Sequence, residues 1–298
     1  MCIGHAVQDF VFSLPDLPAG GRKFRAEGFA SVGGGPAATA AVAIARLGGE
    51  ASLAARIGED AVADAIVSEL EGYGVDCARV KRFAGRTSSL SAVMVDARGE
   101  RMIVNYRDAG MPAGPEWLGG DDRFDAVLAD TRWPEGAAEG FALARGAGVP
   151  AVLDADDPVP DDPAMLARAT HLAFSADGLQ GLTGEADPAR ALNSVHARFG
   201  AWVCVTDGAR GVMICDAAGI SAAGAFAVDV VDTLGAGDVW HGAFTLRLAE
   251  GAREADAVRF ANAAAAIKVT RTGGRAGAPR RAEVEAFLAT HQEMEPKF

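Results

Sequence analysis

The stretch Val231-Asp232-Thr233-Leu234-Gly235-Ala236-Gly237-Asp238-Val239-Trp240-His241-Gly242-Ala243-Phe244 decides how the rest of the chain is read. It follows the apolar run AFAVDVV (225–231), which predicts a strand, and it opens a helix predicted over 235–250. Backbone N–H groups at a helix start lack partners inside the helix and suit an anion. Glycines let the backbone approach that anion closely. A carboxylate ending such a loop, here Asp238, can take a proton from a hydroxyl. The plainer alternative is an aspartate N-cap after a glycine turn, and this motif alone leaves both open.

A second glycine cluster, Gly33-Gly34-Gly35 before Pro36, opens a helix that runs to Leu47 and stops at Gly48-Gly49. Gly33-x-Gly35-x-x-Ala38 with Glu59 fits the dinucleotide fingerprint in letters only. That fingerprint needs a buried strand before it, and residues 22–32 carry Arg22, Lys23, Arg25 and Glu27, as a half-exposed strand does. A Walker A loop is absent.

Outward from these two points, strands and helices alternate. Strands are expected at 51–57, 125–130, 149–156, 170–175 and 201–208, and helices at about 60–72 (capped by Asp60), 253–270 and 280–290. That alternation predicts an α/β fold with a mostly parallel sheet covered by helices on both faces. SLSAVMVDA (89–97) and RMIVNYR (101–107), joined by Arg98-Gly99-Glu100, predict a hairpin. With the 22–32 strand it does not fit the main sheet, so both are assigned to a small β-sheet lid at about 10–32 and 84–108. A length of 298 residues allows two domains or one large one, and the lid assignment favours a single domain over 1–298.

A net charge of −12 disfavours nucleic acid and anionic membrane as partners. No run reaches the ~18 apolar residues of a membrane span. Cys2, Cys77, Cys204 and Cys215 are scattered, which predicts buried thiols in a reducing, cytoplasmic setting. Only Lys23, Lys81, Lys268 and Lys297 among the 28 basic residues are lysines, so each lysine stands out.

Taken together, VGGGPAATAAVAIARLGG with ARIGEDAVADAIVSELEGYGVD, and VDTLGAGDVWHGAF about 200 residues later, resemble the two signatures of the ribokinase-like (PfkB) carbohydrate kinases. The resemblance runs over nearly the whole chain. SVGGGPAATAAVA, SAVMVDARGERMIVNY, VLADTRWPEGA and RTGGRAGAP bring it nearest to the sulfofructose kinases of that family. It implies a ribokinase-like fold, ATP and Mg²⁺, and phosphorylation of the 1-hydroxyl of 6-deoxy-6-sulfofructose.

Carried over residue by residue, the resemblance makes Asp238 the base and Gly235, Ala236 and Gly237 the donors to the transferring phosphate. Asp9 would hold sugar hydroxyls, and Gly34 and Gly35 would let the sugar pack on backbone. Lys23, Asn105 and Arg132 would surround the sulfonate. A sulfonate is a permanent anion with three acceptor oxygens, which a guanidinium, an ammonium and an amide can satisfy. Singly, each of the three reads as a solvated surface residue.

Thr206, Gly208 and Gly211 match the nucleotide loop, and Asn262 lies on the helix that borders the adenine. Asp232 is the family's neighbour to a monovalent cation such as K⁺. Family members commonly pair their lids into homodimers, and the same is expected here.

Two positions depart from the pattern: Thr39 stands where ribokinases carry Asn, and Ser175-Ala176-Asp177-Gly178 stands where the N-x-x-E element falls. Either Asp177 substitutes for that carboxylate in the Mg²⁺ water shell, or the water network is rebuilt. His241, Trp133 and Trp240 are read as packing residues. Asp121-Asp122 and Asp154-Asp156-Asp157 are read as surface turns, the latter with reach to the substrate mouth. The rival readings are a kinase for another ketose, a sugar phosphate or a nucleoside, and a non-catalytic sugar-binding regulator.

Overall fold

The computed structural model describes residues 1–119 and 123–298; the Asp121-Asp122 pair lies outside the described residues. The main sheet is built from β1 (Cys2–Gly4), β4 (Ser52–Gly58), β5 (Asp76–Phe83), β8 (Val127–Asp130), β9 (Ala151–Ala155), β10 (His171–Ser175), β11 (Trp202–Thr206), β12 (Val212–Asp216) and β13 (Gly219–Ala223). Their order is β13-β12-β11-β10-β9-β8-β1-β4-β5. From β11 to β5 the pairs are parallel, and β12 and β13 add an antiparallel edge.

A second sheet, ordered β3-β2-β6-β7, is made of β2 (Val7–Ser13), β3 (Gly28–Gly34), β6 (Leu90–Val95) and β7 (Arg101–Tyr106). β6 and β7 fall within the expected 84–108 segment and form the expected antiparallel hairpin, while β2 and β3 overlap the expected 10–32 segment and run past its two ends. Two expectations fail. Residues 225–231 form no strand, because Val231 and Asp232 both donate to Val269 O instead of joining a ladder. The strand expected at 22–32 begins only at Gly28, which leaves Lys23 in the loop after Ser13.

Helices cover both faces. The first core joins α1 (Pro36–Arg46), α2 (Ala61–Gly72), α7 (Ala236–Ala249) and α8 (Glu254–Val269), with α9 (Arg281–Thr290) packed on it. The other joins α3 (Pro134–Ala147), α4 (Pro163–Leu166), α5 (Ala176–Thr183) and α6 (Pro188–Phe199). The inner parallel strands, unlike the edge strand β5, are buried on both sides, so their alternate residues serve different cores. In β8 and β9, Leu128 and Val152 face the first core, and two residues on, the same face presents Asp130 and Asp154.

Leaving β1, the chain builds β4 and β5 on one side and β8 to β11 on the other. The crevice of an open α/β sheet lies at such a reversal, beyond the carboxyl ends of the strands. Here it lies at the ends of β1 and β8, where the lid strands also depart. Among the described residues no helix is long and apolar enough to cross a membrane.

Candidate active site

Asp130 ties the crevice together. Its buried carboxylate accepts from His5 N at 2.7 Å, Arg132 N at 2.8 Å and Ala37 N, at the start of α1, at 3.1 Å. A Cβ on Gly4 would come within 2.3 Å of this carboxylate, so the end of β1 must stay bare.

Across the first core, α7 opens at Gly235, in the left-handed region at φ 74°, with a hypothetical Cβ 3.4 Å from Thr39 Cγ2. A Cβ on Gly237 would meet nothing within 4 Å, so the first turn faces open space. Of the expected phosphate donors, Ala236 N–H is directed instead to Thr233 O at 3.1 Å.

Asp238 occupies the third position of this helix. Burial, then the charge of Asp154, push its carboxyl up to about 7, against the pull of His241. A base poised near neutrality suits proton transfer from a hydroxyl. One turn on, His241 is buried; Nε2 donates to Ala173 O at 3.2 Å, and Nδ1 lies 3.4 Å from Asp154 Oδ2. Burial and the neighbouring Asp130 hold the Asp154 carboxyl well above its usual range. Asp154 is therefore not a surface residue; strand alternation carries it to the base. Trp133 and Trp240 pack in the core as expected.

The lid contributes a polar row. Asp9 pairs in register with Ser91, and Ser91 with Asn105, whose Nδ2 donates to Ser91 Oγ at 3.0 Å. Burial raises the Asp9 carboxyl, while Ser91 and Arg275 draw it down. The two glycines expected to receive sugar have another cause: a Cβ on Gly34 would lie 2.5 Å from Asp9 Oδ2, and one on Gly35, at φ 94°, 2.3 Å from His5 O.

Arg132 Nη2 lies 2.6 Å from Asp157 O and 3.2 Å from Asp156 Oδ2. Lys23 is exposed, in the loop between Ser13 and Gly28, and makes no hydrogen bond or ion pair among the described residues. Sequence reasoning named Arg132 and missed the two cations beside it, Arg56 and Arg107. Burial first, then Arg107, Arg132 and Arg56, push the His5 imidazole down to about 3, so three guanidinium groups act on one buried ring. Arg56 donates to Pro112 O at 2.9 Å and lies 4.6 Å above the Trp133 ring. Arg107 makes no hydrogen bond or ion pair among the described residues. Arg56 lies two residues before the end of β4 and Arg107 directly follows β7, and that placement was the available signal. Arg275 was also missed. It is 2% exposed, pairs with Glu69 at 2.9 Å, and fills the space that a side chain on Gly33 would need.

On the nucleotide side, Thr206 ends β11, and Gly208 and Gly211 bracket a short turn with positive φ at both. Asn262, on α8, is tied into the protein: its Oδ1 accepts from Trp240 at 2.7 Å and its Nδ2 donates to Gly224 O at 2.8 Å, both buried. Asp177 is exposed on the first turn of α5. No cluster of three or more metal-ligating side chains occurs among the described residues.

A carboxylate poised near neutrality at the start of a glycine-opened helix, facing a crevice under a lid, defines an enzyme of the ribokinase-like fold class. The chain belongs to the pfkB family of carbohydrate kinases, whose model matches residues 1–281. It is 30% identical to the ribokinase of Bacillus subtilis, over 96% of this chain and 98% of that protein. Among solved structures it resembles a protein of Agrobacterium tumefaciens provisionally described as a ribokinase (38% identity, TM-score 0.88, 97% and 96% of the two chains). It also resembles the Arabidopsis thaliana ribokinase complexed with ribose and ATP (27%, TM-score 0.85, 96% and 97%).

Proposed function

We propose that the protein is a single-domain, ATP-dependent kinase for an anionic ketose, phosphorylating the 1-hydroxyl of 6-deoxy-6-sulfofructose. What supports this is a group of arginines at the crevice: Arg56 Nη2 donates to Arg132 O at 3.4 Å, and both act with Arg107 on the buried His5 ring. Like charges gathered in a partly buried crevice repel one another, and an anion relieves that cost. Arg107 has its guanidinium available, and the Asn105 amide stands nearby on the same strand.

In this reading Asp9 and Asn105 orient the sugar, and Asp238 takes the hydroxyl proton. The amides opening α7, at Gly235, Gly237 and Asp238, receive the developing charge. Thr206, Gly208 and Gly211 border the nucleotide. Mg²⁺ would neutralise charge along the phosphates. With no cluster of three protein ligands, its coordination suits phosphate and water oxygens, with Asp177 holding a water. The reducing cytoplasm remains the proposed location.

The second reading is a ribose kinase, favoured by the ribokinase relatives and opposed by Thr39 and the arginines. ADP release with 6-deoxy-6-sulfofructose, fructose 6-phosphate, fructose and ribose separates them. Sulfofructose is expected to give the highest kcat/KM; a value no better than that for fructose or ribose overturns the proposal. Arg132→Ala should cost about 2–4 kcal/mol in transition-state binding with the anionic sugar, by loss of a charge-assisted contact, and little with fructose. An equal loss on both would mean that Arg132 only holds Asp156 and Asp157 in place.

A further inference from the structure

Asp232 starts the loop that ends in the α7 amides, and protein cations already occupy it. Lys268 Nζ donates to Asp232 O at 2.7 Å and lies 3.4 Å from Oδ2. Arg101, reaching over from β7, donates to Oδ1 at 2.7 Å. Leu234 N adds a bond to Oδ1 at 2.9 Å, and Gly274 N one to Oδ2 at 3.4 Å. A monovalent cation at this aspartate needs oxygens whose charge is unmatched. Here both carboxylate oxygens and the carbonyl are engaged, so the residues present do not fit the ion that the resemblance implies.

We infer that the Lys268 ammonium is the resident cation of this loop, and that the enzyme works without bound K⁺ or any other monovalent ion. An ammonium carries the same charge as K⁺, is close to it in size, and offers donors in several directions. The Lys268 side chain is wholly buried, so the charge cannot exchange with solvent. It comes from the last turn of α8, where helix carbonyls favour a cation. Burial lowers the Lys268 amine while Asp232 draws it up; Asp232, pushed up by burial, is pulled below its usual value by Leu234 N–H and Lys268. Two matched charges result. The role is positioning: a neutralised Asp232 lets the loop hold its amides toward a phosphate without repelling it.

The inference rests on the family's kinase chemistry and not on the sulfonated acceptor. Its first readout is therefore thermal melting, which needs no sugar; the second is ADP release with whichever acceptor turns over. The wild-type protein is compared in LiCl, NaCl, KCl and tetramethylammonium chloride at constant ionic strength. Melting temperature and rate should be the same in all four within about twofold in rate, and a K⁺-specific rise of more than about fivefold overturns the inference. Lys268→Ala, which removes the charge and vacates the hollow, should melt lower and slow down in tetramethylammonium, and KCl should restore both. A Lys268→Ala protein that is fully active without K⁺, or one that KCl cannot restore, overturns it as well. Arg101→Gln, which leaves Lys268 in place, should stay insensitive to K⁺.

Discussion

Replacing Asp238 by Asn tests the electrostatics of the base in two independent ways. Folding raises its carboxyl from 3.8 to about 7, so the ionised form is disfavoured in the native state. Because the folded value is the higher, this group costs nothing below pH 3.8, and the cost grows as pH rises and levels off above about 7. At 1.36 kcal/mol per pH unit, the penalty is about 2 kcal/mol at pH 5 and about 4 kcal/mol at pH 8. Asn keeps the shape and carries no charge. The stability advantage of Asp238→Asn over the wild type should thus widen by about 2–3 kcal/mol between pH 5 and pH 8.

Urea unfolding of both proteins at pH 5, 6, 7 and 8 measures that difference directly. Any hydrogen bond that Asn makes differently adds an offset independent of pH. In the same variant, turnover should fall by about 10²–10⁴ while ATP still binds. Wild-type kcat/KM should decline on the acid side of about pH 7, since the base must be ionised. A stability difference that is flat with pH would refute the burial argument, and undiminished turnover would refute the base.

Two further outcomes follow from backbone and surface. Gly35→Ala puts a Cβ 2.3 Å from His5 O at φ 94°, and should destabilise the fold by about 1–3 kcal/mol or more, whereas Gly72→Ala, with nothing within 4 Å, should not. Equal melting temperatures for the two variants would contradict the close approach. On the lid face opposite Asp9, Phe29, Val104 and Tyr106 are 62%, 61% and 48% exposed. That face is proposed to pair two copies, so Val104→Asp should convert a dimer to a monomer in sedimentation; a monomeric wild type at micromolar concentration would dispose of it.

The fold was legible because two periods alternate along the chain, and because RMIVNYR cannot be buried on both faces as the main-sheet strands are. The proposed base was legible because glycines and a carboxylate adjoin in sequence. Asp154, Arg56 and Arg107 were not, since each reaches the crevice from a different strand and only strand order brings them together. Asp154 had a readable signal all the same: an acid at a core-facing position of a strand that is otherwise apolar. AFAVDVV misled for the opposite reason. Its apolar residues suit a strand, but Val230 and Val231 are 63% and 59% exposed, and their segment is held by the end of α8.

The scarcity of lysine pointed to the right residue type and the wrong member. In a chain this rich in arginine, an exposed lysine such as Lys23 could be exchanged for arginine at little cost. A position that requires lysine must be one where a planar guanidinium fails. That place is a buried, compact hollow in which one cation must sit over a main-chain carbonyl and also near a carboxylate, as Lys268 does at Asp232. Arginine's fork suits the crevice instead, where the proposed ligand is a three-oxygen anion. The division of labour explains how a chain of net charge −12 can hold anions at all. A few of its cations sit where burial strengthens them, Lys268 beneath the loop that opens α7 and the arginines around His5, while most of its charges, acidic and basic, lie in solvent, where salt screens them.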